Sequence, residues 1–164
     1  ASYRRVSPSM TPMQAKAASN YMNSMLLKHE AKHNGFDEAI ALDAQGRVSE
    51  ASASNIFFVW GNEIHTPSLD CSILNGITRQ SVIEFARDLG YKVVERGIAR
   101  DELYTADEIF LTCTAAEIQS IGSVDRIAVG NGNYPVAAEL TKLFLEVASG
   151  KSEKYAHWLT YVNA

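Results

Sequence analysis

The chain has 164 residues, of which 46% are hydrophobic, and a formal net charge of −4 at pH 7. A chain of this length can bury one core, so we expect residues 1–164 to form a single compact domain. Its 15 basic and 19 acidic side chains are spread along the sequence, which predicts no binding to nucleic acid or to an anionic membrane surface. No apolar run reaches the length of a membrane span and no leader precedes the first helix, so we expect a soluble cytoplasmic protein.

The cysteines and histidines give no metal signal. Cys71 and Cys113 have neither metal-ligand spacing nor a CxxC arrangement, which predicts free thiols in a reducing compartment. His29 and His33 lie four residues apart, as in zinc-binding helices, but no third ligand accompanies them, and we expect solvated side chains. The usual serine-hydrolase segment, Gly-x-Ser-x-Gly, is absent from the sequence.

The first element in chain order is a predicted amphipathic helix over 13–33. Its apolar residues recur at three- to four-residue steps, and it should end near Asn34-Gly35. This interpretation places Lys16 in the first turn. Tyr21 follows five positions later, so both side chains are expected to border one pocket.

Short strands then alternate with helices. The patterns predict strands at 38–42, 47–50, 55–60, 63–67, 92–96 and 108–112, helices at 82–89, 101–106 and 135–149, and a hairpin arm at 123–129. The class is therefore mixed α/β, with too many hairpins for a doubly wound parallel sheet. Asp107 and Glu108, before the buried strand, are interpreted as a helix-end or ion-pair feature without a catalytic role.

Two loop-to-helix junctions are candidate anion sites. The first is Leu74-Asn75-Gly76-Ile77-Thr78-Arg79, which opens a helix, and the second is Thr112-Cys113-Thr114-Ala115-Ala116-Glu117, which ends a buried strand. Unpaired N–H groups, the helix dipole and a threonine hydroxyl all favour a phosphate group. Taken singly, each segment is more typical of an ordinary helix N-terminus than of a phosphate site.

Lys16 and Glu50 are the candidate catalytic pair. An amine nucleophile requires a carbonyl partner, and a cofactor that serves as an electron sink requires a carboxylate beside its ring nitrogen. The two residues match the Schiff-base lysine and the ring-nitrogen carboxylate of a pyridoxal phosphate enzyme. Taken singly, Lys16 would be a solvated surface charge and Glu50 a strand-end carboxylate.

Together and in this order, these signals resemble the fold-type IV pyridoxal phosphate enzymes, and among them the branched-chain amino acid aminotransferases. The resemblance covers essentially the whole chain. It is carried by Ser7-Pro8, Gln14-Ala15-Lys16-Ala17, Asn20-Tyr21, Glu50, Asn55-Ile56-Phe57, Thr66-Pro67, Leu74–Arg79, Ala106–Phe110, Thr114–Glu117, Ser123-Val124-Asp125 and Trp158-Leu159. It implies a pseudo-barrel of mainly antiparallel strands flanked by helices.

The resemblance also implies residue roles. Lys16 would bind the cofactor covalently and shuttle the substrate proton, Glu50 would keep the pyridine nitrogen protonated, and Tyr21 would donate to the ring oxygen. Ile77, Thr78 and Thr114 would hold the phosphate, and Leu74 would lie against the ring. Substrate binding would fall to Ala53, Thr114 and Ala115, with N–H groups of the Thr114-Ala115 turn facing the substrate carboxylate.

The chain departs from the family pattern at several positions. Glycines are usual where it has Ala51, Ala53 and Cys113, and a proline-containing turn is common at Gln119-Ser120. The smaller N-terminal domain of these enzymes, which contributes a phosphate-binding arginine, is not in the sequence. We therefore expect the large cofactor-binding domain alone, as a proteolytic or truncated fragment or one half of a nicked enzyme.

The resemblance implies amino acid and 2-oxo acid substrates, 2-oxoglutarate as amino acceptor, and a homo-oligomer that is dimeric or larger. Four alternatives remain open at this point. They are a catalytically silent assembly fragment, a D-amino acid or amine transaminase, an enzyme similar to aminodeoxychorismate lyase, and an unrelated α/β binding module.

Overall fold

The computed structural model describes residues 1–162. Three α-helices lie in this range: α1 (Tyr21–His33), α2 (Ile77–Asp88) and α3 (Pro135–Ala148). The strands are β1 (Ile40–Leu42), β2 (Val48–Ala51), β3 (Asn55–Trp60), β4 (Glu63–Pro67), β5 (Lys92–Arg96), β6 (Glu108–Cys113), β7 (Glu117–Ser120), β8 (Ser123–Val124) and β9 (Ile127–Ala128). Short 3-10 helices occur at Ala18–Asn20, Leu69–Cys71, Arg100–Tyr104 and Glu153–Trp158.

Five strands form the central sheet in the order β5-β4-β3-β6-β7. Neighbouring strands are antiparallel except for β4 and β5, which are parallel because α2 carries the chain back between them. Strands β1 and β2, and strands β8 and β9, form separate antiparallel pairs. The predicted mixed α/β class with mainly antiparallel strands is confirmed.

Alternate residues of β3 face opposite sides of the sheet. On one side Phe57 packs with α2 and α3 and stacks on Phe110 of β6, with 5.0 Å between the ring centroids. On the other side Ile56 and Phe58 pack in a second core that includes Val48. Since β3 begins where the antiparallel β6 ends, the first residue of β3 and the last residues of β6 lie together at one edge of this double-sided core.

The prediction of one helix over 13–33 is wrong at its beginning. The α-helix begins at Tyr21, after the 3-10 turn Ala18–Asn20, and Ala17 has an extended backbone with φ −85° and ψ 142°. Lys16 therefore lies in a loop and not in a first helical turn. The helix end was predicted correctly, because Gly35 adopts φ +75° directly after His33 and Asn34.

The predicted Asp107-Glu108 feature is a structural cap. Both Glu108 carboxylate oxygens accept hydrogen bonds from the first turn of α3, from Val136 N at 2.9 Å and Ala137 N at 3.0 Å. A carboxylate at this position satisfies unpaired N–H groups and opposes the positive end of the helix dipole. Asp107 Oδ2 accepts from Gly61 N at 2.8 Å and so holds the turn between β3 and β4.

None of the helices in residues 1–162 combines the length and the apolar character needed to cross a bilayer.

Candidate active site

A cavity of about 380 Å³ opens at the edge where β3 begins and β6 ends. It is lined by residues from the loop before α1, from β2 and the β2–β3 turn, from the start of α2 and from the end of β6. The sequence-predicted residues that line it are Lys16, Tyr21, Glu50, Ala53, Leu74, Ile77, Thr78 and Thr114. Ala115 is in the turn after β6, but it is not one of the lining residues.

Lys16 reaches the cavity from a loop that is tied down on both sides of it. Gln14 Nε2 donates to Ile73 O at 3.1 Å, which attaches this loop to the segment before α2. Asn20 Nδ2 donates to Ala15 O at 3.1 Å, which attaches it to the turn before α1. The Lys16 side chain is exposed, so its amine is accessible from the open side of the cavity.

Glu50 forms the buried end of the cavity. Its carboxylate accepts from Nε of Arg5 at 3.1 Å and from Nη2 of the same guanidinium, and both bonds go to Oε1. Its other oxygen, Oε2, accepts from Asn55 Nδ2 at 3.0 Å and Leu74 N at 3.2 Å. Four donors thus fix the carboxylate in one orientation.

The charge balance at Glu50 depends on Arg5. The two side chains are almost fully buried, at 3% and 8% exposure respectively. Burial raises the pKa of the Glu50 carboxyl above its usual value, and the Arg5 guanidinium is the strongest influence in the opposite direction. Arg5 Nη1 also donates to Ser24 Oγ of α1 at 2.9 Å, so the ion pair connects β2 with this helix.

The start of α2 provides the polar end of the cavity. Ile77 and Thr78 are the first two residues of α2, where backbone N–H groups lack partners within the helix. Thr78 is buried and Ile77 is exposed. Together with Thr114 after β6, this helix end forms a concave polar surface suited to an anion.

Gly76 allows the loop before α2 to approach Asn55 closely. A Cβ atom at this position would lie 2.4 Å from Asn55 Oδ1. We expect Gly76→Ala to displace the Asn55 amide and to break its bonds with Glu50 and Leu74 O, which lowers the free energy of unfolding by about 1–3 kcal/mol. Urea unfolding measures this change.

Gly122→Ala is the matched control, because its backbone has no positive φ and its nearest neighbour would be 3.9 Å from the new Cβ. This variant should unfold within about 0.5 kcal/mol of the original protein. If Gly76→Ala and Gly122→Ala have the same free energy of unfolding, the close approach of residue 76 to Asn55 does not require glycine.

Among the cavity-wall residues to which sequence reasoning assigned no role are Arg5 and Asn55. Arg5 is 45 positions away from Glu50, and no local pattern links them. Asn55 was quoted only as part of the Asn-Ile-Phe segment.

The remaining candidates have other roles or none at this site. Cys71 and Cys113 are free thiols, as predicted, and Cys113 lines the cavity, with its Sγ accepting from Ala116 N at 3.2 Å. His29 and His33 are exposed. Within residues 1–162 no group of three or more potential metal-ligating side chains comes together.

The fold and cavity define a small-molecule site that combines an amine, a buried carboxylate and a helix N-terminus. The amino-transferase class IV family matches residues 1–124 of this sequence. The chain therefore belongs to that family.

Proteins that are similar to this chain in sequence include branched-chain-amino-acid aminotransferases. The chain is 41% identical over 163 residues to that of Escherichia coli strain K12, covering 99% of this chain and 53% of the relative. It is 44% identical over 163 residues to the probable enzyme of Aquifex aeolicus strain VF5, covering 98% of this chain and 52% of the relative. The chain thus spans about half the length of these relatives.

Solved structures give the same result. A branched-chain amino acid aminotransferase from T.th., complexed with N-(5'-phosphopyridoxyl)-L-glutamate, is 44% identical, with a TM-score of 0.96 over 99% of this chain and 55% of that chain. The Thermoproteus uzoniensis branched-chain aminotransferase with norvaline is also 44% identical, with a TM-score of 0.93 over 98% of this chain and 53% of that chain. The predicted fold-type IV architecture is confirmed.

Proposed function

We propose that residues 1–164 are the large, cofactor-binding domain of a pyridoxal 5'-phosphate-dependent aminotransferase. The proposed reaction moves the amino group of leucine, isoleucine or valine to 2-oxoglutarate. The observation that carries the proposal is that Lys16 and Glu50, 34 residues apart in sequence, line the same cavity in a chain of this family. The identity to branched-chain aminotransferases supports the substrate class.

The residues around the cavity fit this cofactor in their chemistry. An aldehyde requires an accessible amine, which Lys16 supplies from the open side. A pyridine nitrogen that is to remain protonated requires an anionic neighbour, and Glu50 is a buried carboxylate held by four donors. A phosphate requires N–H donors and a favourable dipole, and α2 begins at the cavity.

When bound, pyridoxal phosphate supplies an electron sink that withdraws charge from the substrate Cα. Lys16 would hold the cofactor through its side-chain amine and would carry the proton from the substrate Cα as a general base. Tyr21, at the start of α1 and on the same wall, is proposed to donate its hydroxyl proton to the ring oxygen.

Glu50 and Arg5 are proposed to act as one unit. Burial raises the pKa of the Glu50 carboxyl, the guanidinium opposes this effect and favours the carboxylate, and the carboxylate would in turn favour a proton on the ring nitrogen. Leu74, whose N–H donates to Glu50, is proposed to lie against the ring. Ile77, Thr78 and Thr114 are proposed to hold the phosphate, through backbone N–H groups and hydroxyls.

The substrate end of the site is proposed to include Ala53, Thr114 and Ala115. Ala53 and Thr114 are exposed residues on the cavity wall. Ala115 lies next to this wall in the turn after β6, so its proposed contribution is a backbone N–H toward the substrate carboxylate. The methyl group of Ala53, where the family pattern has glycine, is proposed to narrow the space for the substrate side chain.

One side of the cavity is bounded by exposed residues, among them Lys16, Tyr21 and Ile77. We infer that a smaller N-terminal domain closes this side in the complete enzyme, since the relatives are about twice as long as this chain. A homo-oligomeric, cytoplasmic enzyme is part of the same proposal.

The substrate class is tested by single-turnover reactions of the protein after loading with pyridoxal phosphate. L-leucine, L-isoleucine and L-valine should each convert the bound cofactor, measured as loss of its long-wavelength absorbance. D-leucine and L-aspartate should react at least about 10-fold more slowly. Faster reaction with D-leucine would replace this proposal by the D-amino acid alternative, and absence of reaction with every one of these amino acids would reject transamination by this chain.

A further inference from the structure

Asn55 is a buried residue that connects Glu50 with the loop before α2. The residue is 5% exposed and lies on the cavity wall. Its amide nitrogen Nδ2 donates to Glu50 Oε2 at 3.0 Å and to Leu74 O at 2.8 Å. Because both partners are acceptors, both hydrogens of the amide group are in use, and the nitrogen end of the amide has to face Glu50.

The two oxygens of the Glu50 carboxylate are held by different kinds of donor. Among the described residues, Oε1 accepts from the Arg5 guanidinium alone, which supplies the opposite charge. Oε2 accepts from two uncharged donors, Asn55 Nδ2 and Leu74 N. Bonds to one oxygen leave a carboxylate free to turn about that oxygen, so the donors on Oε2 fix its direction. Arg5 thus favours the ionised form, and the neutral donors orient it.

The position of Asn55 is itself fixed by the sheet and by Gly76. Asn55 is the first residue of β3, and its backbone pairs in register with β6. Its Oδ1 lies so close to the loop before α2 that a Cβ on Gly76 would come within 2.4 Å of it. A residue that orients a ligand-binding group must itself be held by packing, and Asn55 meets this requirement.

We propose that Asn55 is a positioning residue, whose amide directs the Glu50 carboxylate toward the ring nitrogen of the bound cofactor. This inference rests on the proposed function, because it takes the ring nitrogen as the partner of Glu50. Asn55 acts through Glu50 and not through contact with the ligand. The same amide group binds Leu74 O, so it also keeps the carboxylate at a fixed distance from the loop that leads into α2.

Asn55→Leu tests this role, because it keeps a branched side chain and removes both hydrogen bonds. The variant should bind pyridoxal phosphate about 10-fold more weakly than the original protein. The deaza analogue of pyridoxal phosphate has a carbon atom in place of the ring nitrogen, and its affinities for the variant and the original protein should agree within about 3-fold. Calorimetric titration with the two ligands measures this difference, which a role in stability alone would not produce.

Asn34→Leu is the matched control. Asn34 is exposed and lies outside the cavity wall, and its Nδ2 donates to Glu30 O at 2.8 Å. This variant loses an amide-to-carbonyl bond of the kind that Asn55 makes with Leu74, and it should keep the original affinity for both ligands. Asn55→Ala removes the amide without adding bulk beside Gly76, and it serves as a second variant if the leucine variant folds poorly.

The outcomes separate this inference from the proposed function. An equal loss of affinity for both ligands in the Asn55 variants overturns the inference, because Asn55 would then support the cavity as a whole. Unchanged affinities for both ligands also overturn it, and either result leaves the proposed function standing. If the original protein binds the two ligands equally, the role of Glu50 in the proposed function fails together with the inference. If the original protein binds neither ligand, both proposals fail.

Discussion

Lys16→Ala is expected to abolish covalent attachment of pyridoxal phosphate and to slow conversion of L-leucine on the order of 10²–10⁴-fold. The nucleophile and the proton carrier are the same amine in our proposal, so one substitution removes both functions. The cofactor should still bind reversibly, because Glu50 and the start of α2 remain in place. Absorbance titration separates the reversible complex from the covalent one, and stopped-flow reaction with L-leucine gives the rate.

Two further lysine variants make this result specific. Lys16→Arg keeps the positive charge but cannot form the same linkage at neutral pH, so it should resemble Lys16→Ala. Lys151→Ala removes an exposed lysine outside the cavity wall and should behave as the original protein. If Lys16→Ala still attaches the cofactor covalently and still converts L-leucine, a different amine serves as nucleophile and proton carrier.

Arg5→Leu is expected to lower the free energy of unfolding by about 3–5 kcal/mol, because it leaves the Glu50 carboxylate buried without a counter-charge. Glu50→Leu should cost a similar amount through the unpaired guanidinium. The double variant should be much less destabilised than the sum of the two, since an apolar pair of similar volume replaces a buried ion pair at little cost. Urea unfolding of all four proteins gives the coupling.

A partly exposed ion pair provides the control. Lys28 Nζ lies 2.7 Å from Glu38 Oε2, and both side chains retain access to solvent. Lys28→Ala should therefore cost about 1 kcal/mol or less. If Arg5→Leu is no more destabilising than Lys28→Ala, the buried pair does not hold Glu50 in the way that the structure indicates.

The strands that the sequence predicts well have strong local signals. Strands β3, β4 and β5 begin and end as predicted, because apolar β-branched and aromatic residues are bounded by turns such as Gly61-Asn62. Strand β7 was missed. It has only four residues, with Ile118 alone buried, and it begins at Glu117, whose φ is +55°. A short, mostly exposed edge strand has no periodic pattern to detect.

The residues of the site were likewise predicted where a local sequence signal exists and missed where it does not. Lys16, Glu50 and the start of α2 were identified from ordered motifs, but Lys16 was placed in a helix because apolar residues recur at three- to four-residue steps over 13–33. Arg5 gave no sequence signal. Its role depends on an ion pair between residues 45 positions apart. Such a pair is a property of the packed structure, and no local spacing encodes it.

The most direct measurement is borohydride reduction of the protein mixed with pyridoxal phosphate, followed by intact-mass and peptide mass spectrometry. Reduction makes a lysine-linked cofactor permanent and therefore locatable. We predict one reduced cofactor per chain, on the peptide that contains Lys16, with Glu50 required for stoichiometric labelling. An adduct spread over several exposed lysines, or the absence of any adduct, would contradict the assignment of this cavity as a pyridoxal phosphate site.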